Sequence, residues 1–217
     1  MGAAITKRDE HGERGDPLSV LVSFAPWISV WVLVSNDSYV PGMVVATACS
    51  ASLIVWTLFE GKKPKLLDWG TLGSLAGLTF VSVAAGGPWL ASWLSAMLNA
   101  ALFLVIFGSI VVGRPFTIDY AKEETPPELW DTEGFRHVNA VISWVWAGAT
   151  AAMLAGSVVY ALYASGMLTT PDPRTSEQIE TWANWAPTVA ALVIAMKFTK
   201  AYPDRYRARM AANAPTR

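Results

Sequence analysis

The sequence predicts an all-α, polytopic membrane protein: a bundle of six transmembrane helices with both termini in the cytoplasm. Three observations carry that expectation. Of 217 residues, 53% are hydrophobic and only 15% charged, whereas a soluble domain holds roughly 25% charged residues. The charges are segregated, so that stretches such as 41–59 and 90–113 contain no Asp, Glu, Lys, Arg or His. The Lys and Arg residues, finally, fall almost wholly on one side of the apolar runs.

A hydrocarbon core about 30 Å thick needs roughly 20 helical residues at a rise of about 1.5 Å each. Six runs meet that requirement, at 17–35, 41–59, 67–85, 90–112, 138–161 and 182–202. They are apolar on all sides and define a membrane domain over 17–203, between a polar tail, 1–16, and a basic tail, 204–217. The first run is longer than a signal-peptide core. It is followed by Ser35-Asn36-Asp37-Ser38 without an Ala-x-Ala pattern, so it is expected to stay attached. Cys49, alone of its kind, is expected to pack as a small apolar residue. Pro26 and Pro187 each remove an N–H from a run, which predicts kinks in the first and sixth spans. Gly73 and Gly77 in the third run, and Gly148, Ala152 and Gly156 in the fifth, repeat at a spacing of four. That spacing predicts small-residue faces used for close helix contact.

Cytoplasmic loops collect Lys and Arg, so their distribution orients the spans. With six spans, 15 of the 16 basic residues share one side and Arg174 alone lies on the other. Both termini are therefore expected inside. Tyr39, Trp89, Trp93, Trp182 and Trp185 then mark outer ends, and Trp56, Trp69, Tyr202 and Tyr206 inner ends, where amphipathic rings favour the headgroups. Trp27, Trp31, Trp144 and Trp146 do not fit such a belt, and their indole N–H groups are expected at helix contacts or near a polar cavity.

The net charge of −1 leaves no basic footprint for nucleic acid. No span carries an Asp or Glu in its interior, the usual mark of a proton or cation pathway. Lys197 lies one turn from the inner end and is expected to snorkel. Asn99 is the one amide well inside a span, a candidate intramembrane polar contact: an interhelical hydrogen bond or a substrate contact. The two histidines are His11, in the charged tail, and His137, among Asp131, Glu133 and Arg136; they do not make a zinc site. A phosphate-binding glycine loop, a nucleophile elbow and a paired metal motif are all missing. No catalytic, cofactor-binding or metal-binding residue is expected, and the chain does not read as an enzyme.

The loop from Arg114 to Trp130 is more than a turn. Phe116, Tyr120 and Lys122 are spaced for a short surface helix, Pro126-Pro127 must end it, and Leu129-Trp130 can anchor the chain before span five. Glu123, Glu124, Glu128, Asp131 and Glu133 give it a negative face. A solvated connector and a docking surface for another protein both fit. Arg114-Pro115, Glu124, Pro127, Trp130 and Asn139, with Trp144 or Trp146 beyond, resemble the bacterial intracellular septation protein A family. Phe24-Ala25-Pro26, Gly77-Leu78-Thr79 and Tyr202-Pro203 are similar to other short motifs of that family. The charged 1–16 extension, the outer loop 167–181 and the Arg-rich tail depart from it.

The resemblance implies a small multi-span inner-membrane protein of cell-envelope maintenance and division, working through partners. Arg114, Pro115, Glu124, Pro127, Trp130 and Asn139 are the candidate partner or structural motif. The expected function is a non-enzymatic scaffold in the lipid bilayer, with membrane-protein partners or a homo-oligomer. A small-molecule transporter or channel, and an accessory subunit of a larger membrane complex, are the alternatives. The topology has a direct test. With Cys49 replaced by Ser, cysteines at Asp37 or Asp172 label with an impermeant thiol reagent in intact cells, and one at Lys63 does not; labelling at Lys63 overturns the orientation.

Overall fold

The computed structural model describes residues 26, 39–84 and 88–212. The first apolar run, 17–35, and the tails 1–16 and 213–217 lie outside the described residues, Pro26 apart. Among the described residues every regular element is helical. They are α1 (Tyr39–Phe59), α2 (Leu66–Ala84), α3 (Pro88–Val111), α4 (Thr117–Glu124), a 3-10 turn (Pro127–Leu129), α5 (Glu133–Ala164), α6 (Pro173–Ile179), a π-helical turn (Glu180–Trp185) and α7 (Ala186–Ala212). Four of them, Tyr39–Phe59, Leu66–Ala84, Trp89–Val111 and Glu133–Ala164, are long and apolar enough to cross a membrane. The helix holding the sixth run is apolar only in its first half, since six charged residues lie between Lys197 and Arg209.

Helix ends follow local chemistry. After α1, Gly61 takes φ 70°, and its N–H bonds Leu58 O while that of Lys62 reaches Thr57 O. After α3, Gly113 does the same at φ 75°, with Arg114 N donating to Ser109 O. Both are Schellman closures that satisfy the last carbonyls and need a residue without Cβ. Thr132 caps α5 by accepting from Phe135 N at 3.3 Å. Asp172 caps α6 through Thr175 N at 3.0 Å. The hydrogen bonds to Thr175, joined by one from Tyr163, hold the Asp172 carboxyl below the usual carboxylate range.

The packing order follows the chain: α1 lies on α2, α2 on α3, α3 on α5, and α5 on α7. Met43, Leu75, Leu90, Leu94, Ile106, Trp146 and Ala195 belong to one buried core. Phe80, Leu104, Val111 and Ile194 point outward, as the lipid-facing side of such a bundle requires.

The buried stripe of α5 runs Asn139, Ser143, Trp146, Thr150, Met153, Ser157, alternating steps of four and three. This spacing keeps one face toward its neighbours, as in coiled coils, and half the stripe is small and hydroxylated. It is not the expected glycine face. Among the described residues a Cβ at Gly73, Gly77 or Gly148 would meet nothing within 4 Å, so these glycines are not contact points there. On α2 the packed face is Leu67, Thr71, Leu75, Leu78 and Ser82 instead. Gly156 is the exception, because a Cβ there would run into the Ala183 carbonyl oxygen in the π turn. The expected outer loop 167–181 is also partly helical, since α6 and the π turn lead into α7.

Gly156→Leu therefore destabilises the protein in detergent by about 1–3 kcal/mol, the range for overpacking, while Gly148→Leu leaves the melting temperature unchanged. Equal behaviour of the two variants in a thermal melt contradicts this packing.

Candidate functional site

The connector between α3 and α5 is built from the bundle outward. Ser109 Oγ accepts from Phe116 N at 3.2 Å, which turns the chain back after Gly113. Phe116 is 6% exposed and meets Trp146 edge-on, with centroids 6.3 Å apart and planes at 88°. The Thr117 hydroxyl donates to Asn139 O at 2.9 Å and lies 2.8 Å from Ser143 Oγ. These contacts seat the start of α4 on α5.

The far side of α4 clasps the start of α2. Asp119 Oδ2 accepts from Leu66 N at 3.1 Å, and Asp68 Oδ2 from Lys65 N at 2.8 Å, so two carboxylates satisfy orphan donors at a helix N-terminus. Lys65 Nζ sits 4.0 Å from the centroid of the Tyr120 ring and 2.9 Å from Glu123 Oε2. Its side chain is only 14% exposed, which places this pair above an ordinary surface bridge in value.

The sequence-derived residues divide between the two faces of this connector. Asn139 is 4% exposed, and its amide donates to Phe135 O on its own helix at 2.8 Å. Trp130 is half-buried; its indole donates to Thr125 O at 2.8 Å, and Lys122 Nζ lies 5.0 Å from the ring centroid. Both residues hold the connector in shape. Arg114, Glu124 and Pro127 are exposed, Pro115 is half-buried, and Glu128 and Leu129 stand outward beside Pro127. The expected short helix and its end before Pro126 are both present, as α4 with its C-cap at Thr125.

A second polar cluster lies in the opposite half of the bundle. Ser95, about 21 Å along α3 from Ser109 at helical rise, donates to Asn184 Oδ1 at 3.2 Å. Asn99 Nδ2 donates to Ser157 Oγ, and that hydroxyl donates to Met153 O at 2.7 Å. Asn99 thus forms an interhelical hydrogen bond. Asn184 belongs to the π turn Glu180–Trp185, where Ala186 N reaches back to Thr181 O. The turn precedes Pro187, whose missing N–H cannot serve the carbonyl of Ala183 four residues earlier. That carbonyl points at Gly156. The expected kink at Pro187 is realised as this widened turn, a feature often found at working sites in helices. Trp146, expected to need a partner, donates to Thr199 Oγ1 at 3.0 Å. Trp144 is 54% exposed and rests edge-on against Phe107; Trp27 and Trp31 lie outside the described residues.

Ser95, Ser157, Asn184, Thr117 and Ser143 were not legible as site residues, because single hydroxyls and amides carry no pattern until a neighbouring helix is placed. Among the described residues no group of His, Cys, Asp or Glu is arranged to hold a metal. Two open grooves lie among the described residues, about 420 Å³ along Ala51, Val55, Trp56 and Phe59, and about 320 Å³ at Arg174, Gln178 and Trp182. No protein-family model matches the chain, and neither the curated proteins nor the solved structures contain a match.

The Asn99–Ser157 bond carries a measurable coupling. In a double-mutant cycle with Asn99→Ala and Ser157→Ala, the interaction energy comes to about 0.6 kcal/mol and no more than about 1.7, the span found between transmembrane helices. A zero coupling in thermal or denaturant unfolding shows that the two side chains do not meet.

Proposed function

We propose that this chain is a non-enzymatic scaffold of the bacterial inner membrane, with six spans and both termini in the cytoplasm, acting in cell-envelope maintenance and division through partner contacts. The 15-to-1 division of basic residues supports the topology. The resemblance to the septation protein A family, carried by Arg114-Pro115, Glu124, Pro127 and Trp130, supports the envelope role.

One observation carries the scaffold reading: the connector is held as a fixed surface. Its inward residues, Phe116, Thr117, Asp119 and Tyr120, are spent on α2 and α5. Its outward residues, Arg114, Glu124, Pro127, Glu128 and Leu129, are left for another molecule. A rigid acidic surface with an apolar centre loses little conformational entropy on binding. Transport is the second reading, favoured by the π turn at Pro187 and the Ser95–Asn184 bond, because broken helices line many membrane binding sites.

The connector is tested by separating its two faces. Arg114→Ala and Leu129→Ala keep the wild-type melting temperature and lose partner recovery from native membranes, by about 1–3 kcal/mol each at a hot spot. Trp130→Ala melts early, because it opens the turn at Thr125. Surface variants that retain every partner refute the docking role. Substrate uptake in proteoliposomes that is abolished by Asn184→Leu establishes the transport reading in its place.

A further inference from the structure

The second half of α7 carries charge that the described residues leave largely without ion pairs. Lys197, Lys200, Arg205, Arg207 and Arg209 succeed one another along about 18 Å of helix axis, at 1.5 Å per residue. Asp204 is the sole acid among them, and it pairs with Arg207 at 3.6 Å. Lys197, Lys200, Arg205 and Arg209 are all exposed. Several basic residues elsewhere have acidic company: Lys65 has Glu123, Lys62 has Glu60, and Arg136 has Asp131.

The other side of this segment is pinned to the bundle. Phe198 stacks on Tyr202 at 4.9 Å, Tyr202 lies 6.3 Å from Tyr206, and Tyr206 covers His137 of α5 at 5.3 Å. A Cβ at Gly134 would already touch Tyr206, at 3.4 Å. Lys197 and Lys200 stand about 140–160° around the helix from Tyr202, on the side facing away from α5. Pro203 interrupts the hydrogen-bond ladder where the sequence passes from apolar to basic.

We infer that this basic second half of α7 binds the headgroups of anionic phospholipids. Depth decides for lipid over a protein partner. On the six-span reading proposed above, on which this inference rests, Lys197 and Lys200 lie at the end of the apolar part of α7, between Met196 and Ala201, at the depth of lipid headgroups. Long basic side chains there extend to phosphate oxygens, and each contributes to attraction for an anionic leaflet. Arg205 and Arg209 stand about 60° and 20° around the helix from Tyr202, and their exposed side chains add positive charge at two further levels along the axis. Tyr202 and Tyr206 supply the aromatic layer found at the membrane boundary.

The purified full chain, reconstituted in phosphatidylcholine with phosphatidylglycerol and then re-extracted in mild detergent, tests the inference through the lipid it retains. The wild type holds phosphatidylglycerol at least about threefold over the ratio supplied, and high salt lowers that enrichment. Lys197→Gln with Lys200→Gln, and separately Arg205→Gln with Arg209→Gln, reduce the enrichment. Lys197→Arg with Lys200→Arg preserves it. Inorganic phosphate in the wash leaves the retained lipid in place. A wild type without enrichment overturns the inference, as does enrichment that survives both Gln pairs. Displacement by phosphate alone assigns the site to free phosphate. A salt-sensitive dimer without lipid preference assigns the basic half to the acidic connector of a second copy, and either result removes the lipid.

Discussion

Three of the four successive helix contacts of the bundle are tied by polar groups that would be orphans in an apolar medium. Thr47 meets Thr79 between α1 and α2, Asn99 meets Ser157 between α3 and α5, and Trp146 meets Thr199 between α5 and α7. Lipid tails are as apolar as Leu, so hydrophobic burial gives helices of this composition little reason to choose one neighbour over another. Polar satisfaction and close packing supply the choice. The bundle depends on α5, whose stripe from Asn139 to Ser157 lies along the helix that touches α4, α3, the π turn and α7.

The same economy explains the connector. A loop of this length normally stays on the surface with its backbone hydrated. Here Ser109, Thr117 and Asp119 absorb donors and acceptors that the turn would otherwise leave to water. The result couples three helix ends: α4 holds the start of α2, the close of α3 and the first turns of α5. Lys65 and Asn139, far apart in sequence, thus meet the same short helix, α4, from its two sides. Each neutral tie is worth about 0.5–1.5 kcal/mol and the ones to charged groups somewhat more, so the rigidity of the surface comes from their number.

The helices were legible because long apolar runs have a single physical solution in lipid, and α4 because Pro126-Pro127 fixed its end. Asn99 and Trp146 were legible as polar groups in need of partners, while Ser157 and Thr199 were not, since Ser and Thr bond their own helix equally well. The glycine faces of α2 and α5 illustrate a different limit. Spacing of four identifies a face, but whether that face meets a helix or the surroundings is set by the partner helix, and serine, threonine and alanine serve close approach too. The π turn left no trace in periodicity because a single wide turn adds one residue, less than the uncertainty of any helix boundary.

That one residue has a rotational consequence. A π turn holds one residue more than an α turn, and the extra residue rotates the segment before it by about 100° relative to the segment after it. Asn184, which meets Ser95, lies on the face continued by Thr188, Ala191 and Ala195 at steps of four, three and four, so the turn takes up its rotation on the α6 side. Deleting a residue between 180 and 185 would restore regular winding and turn the whole of α6 away from its present side. The helical segment from Pro173 to Ala212 is therefore phased in two halves, α6 and α7, whose faces are set independently across the π turn.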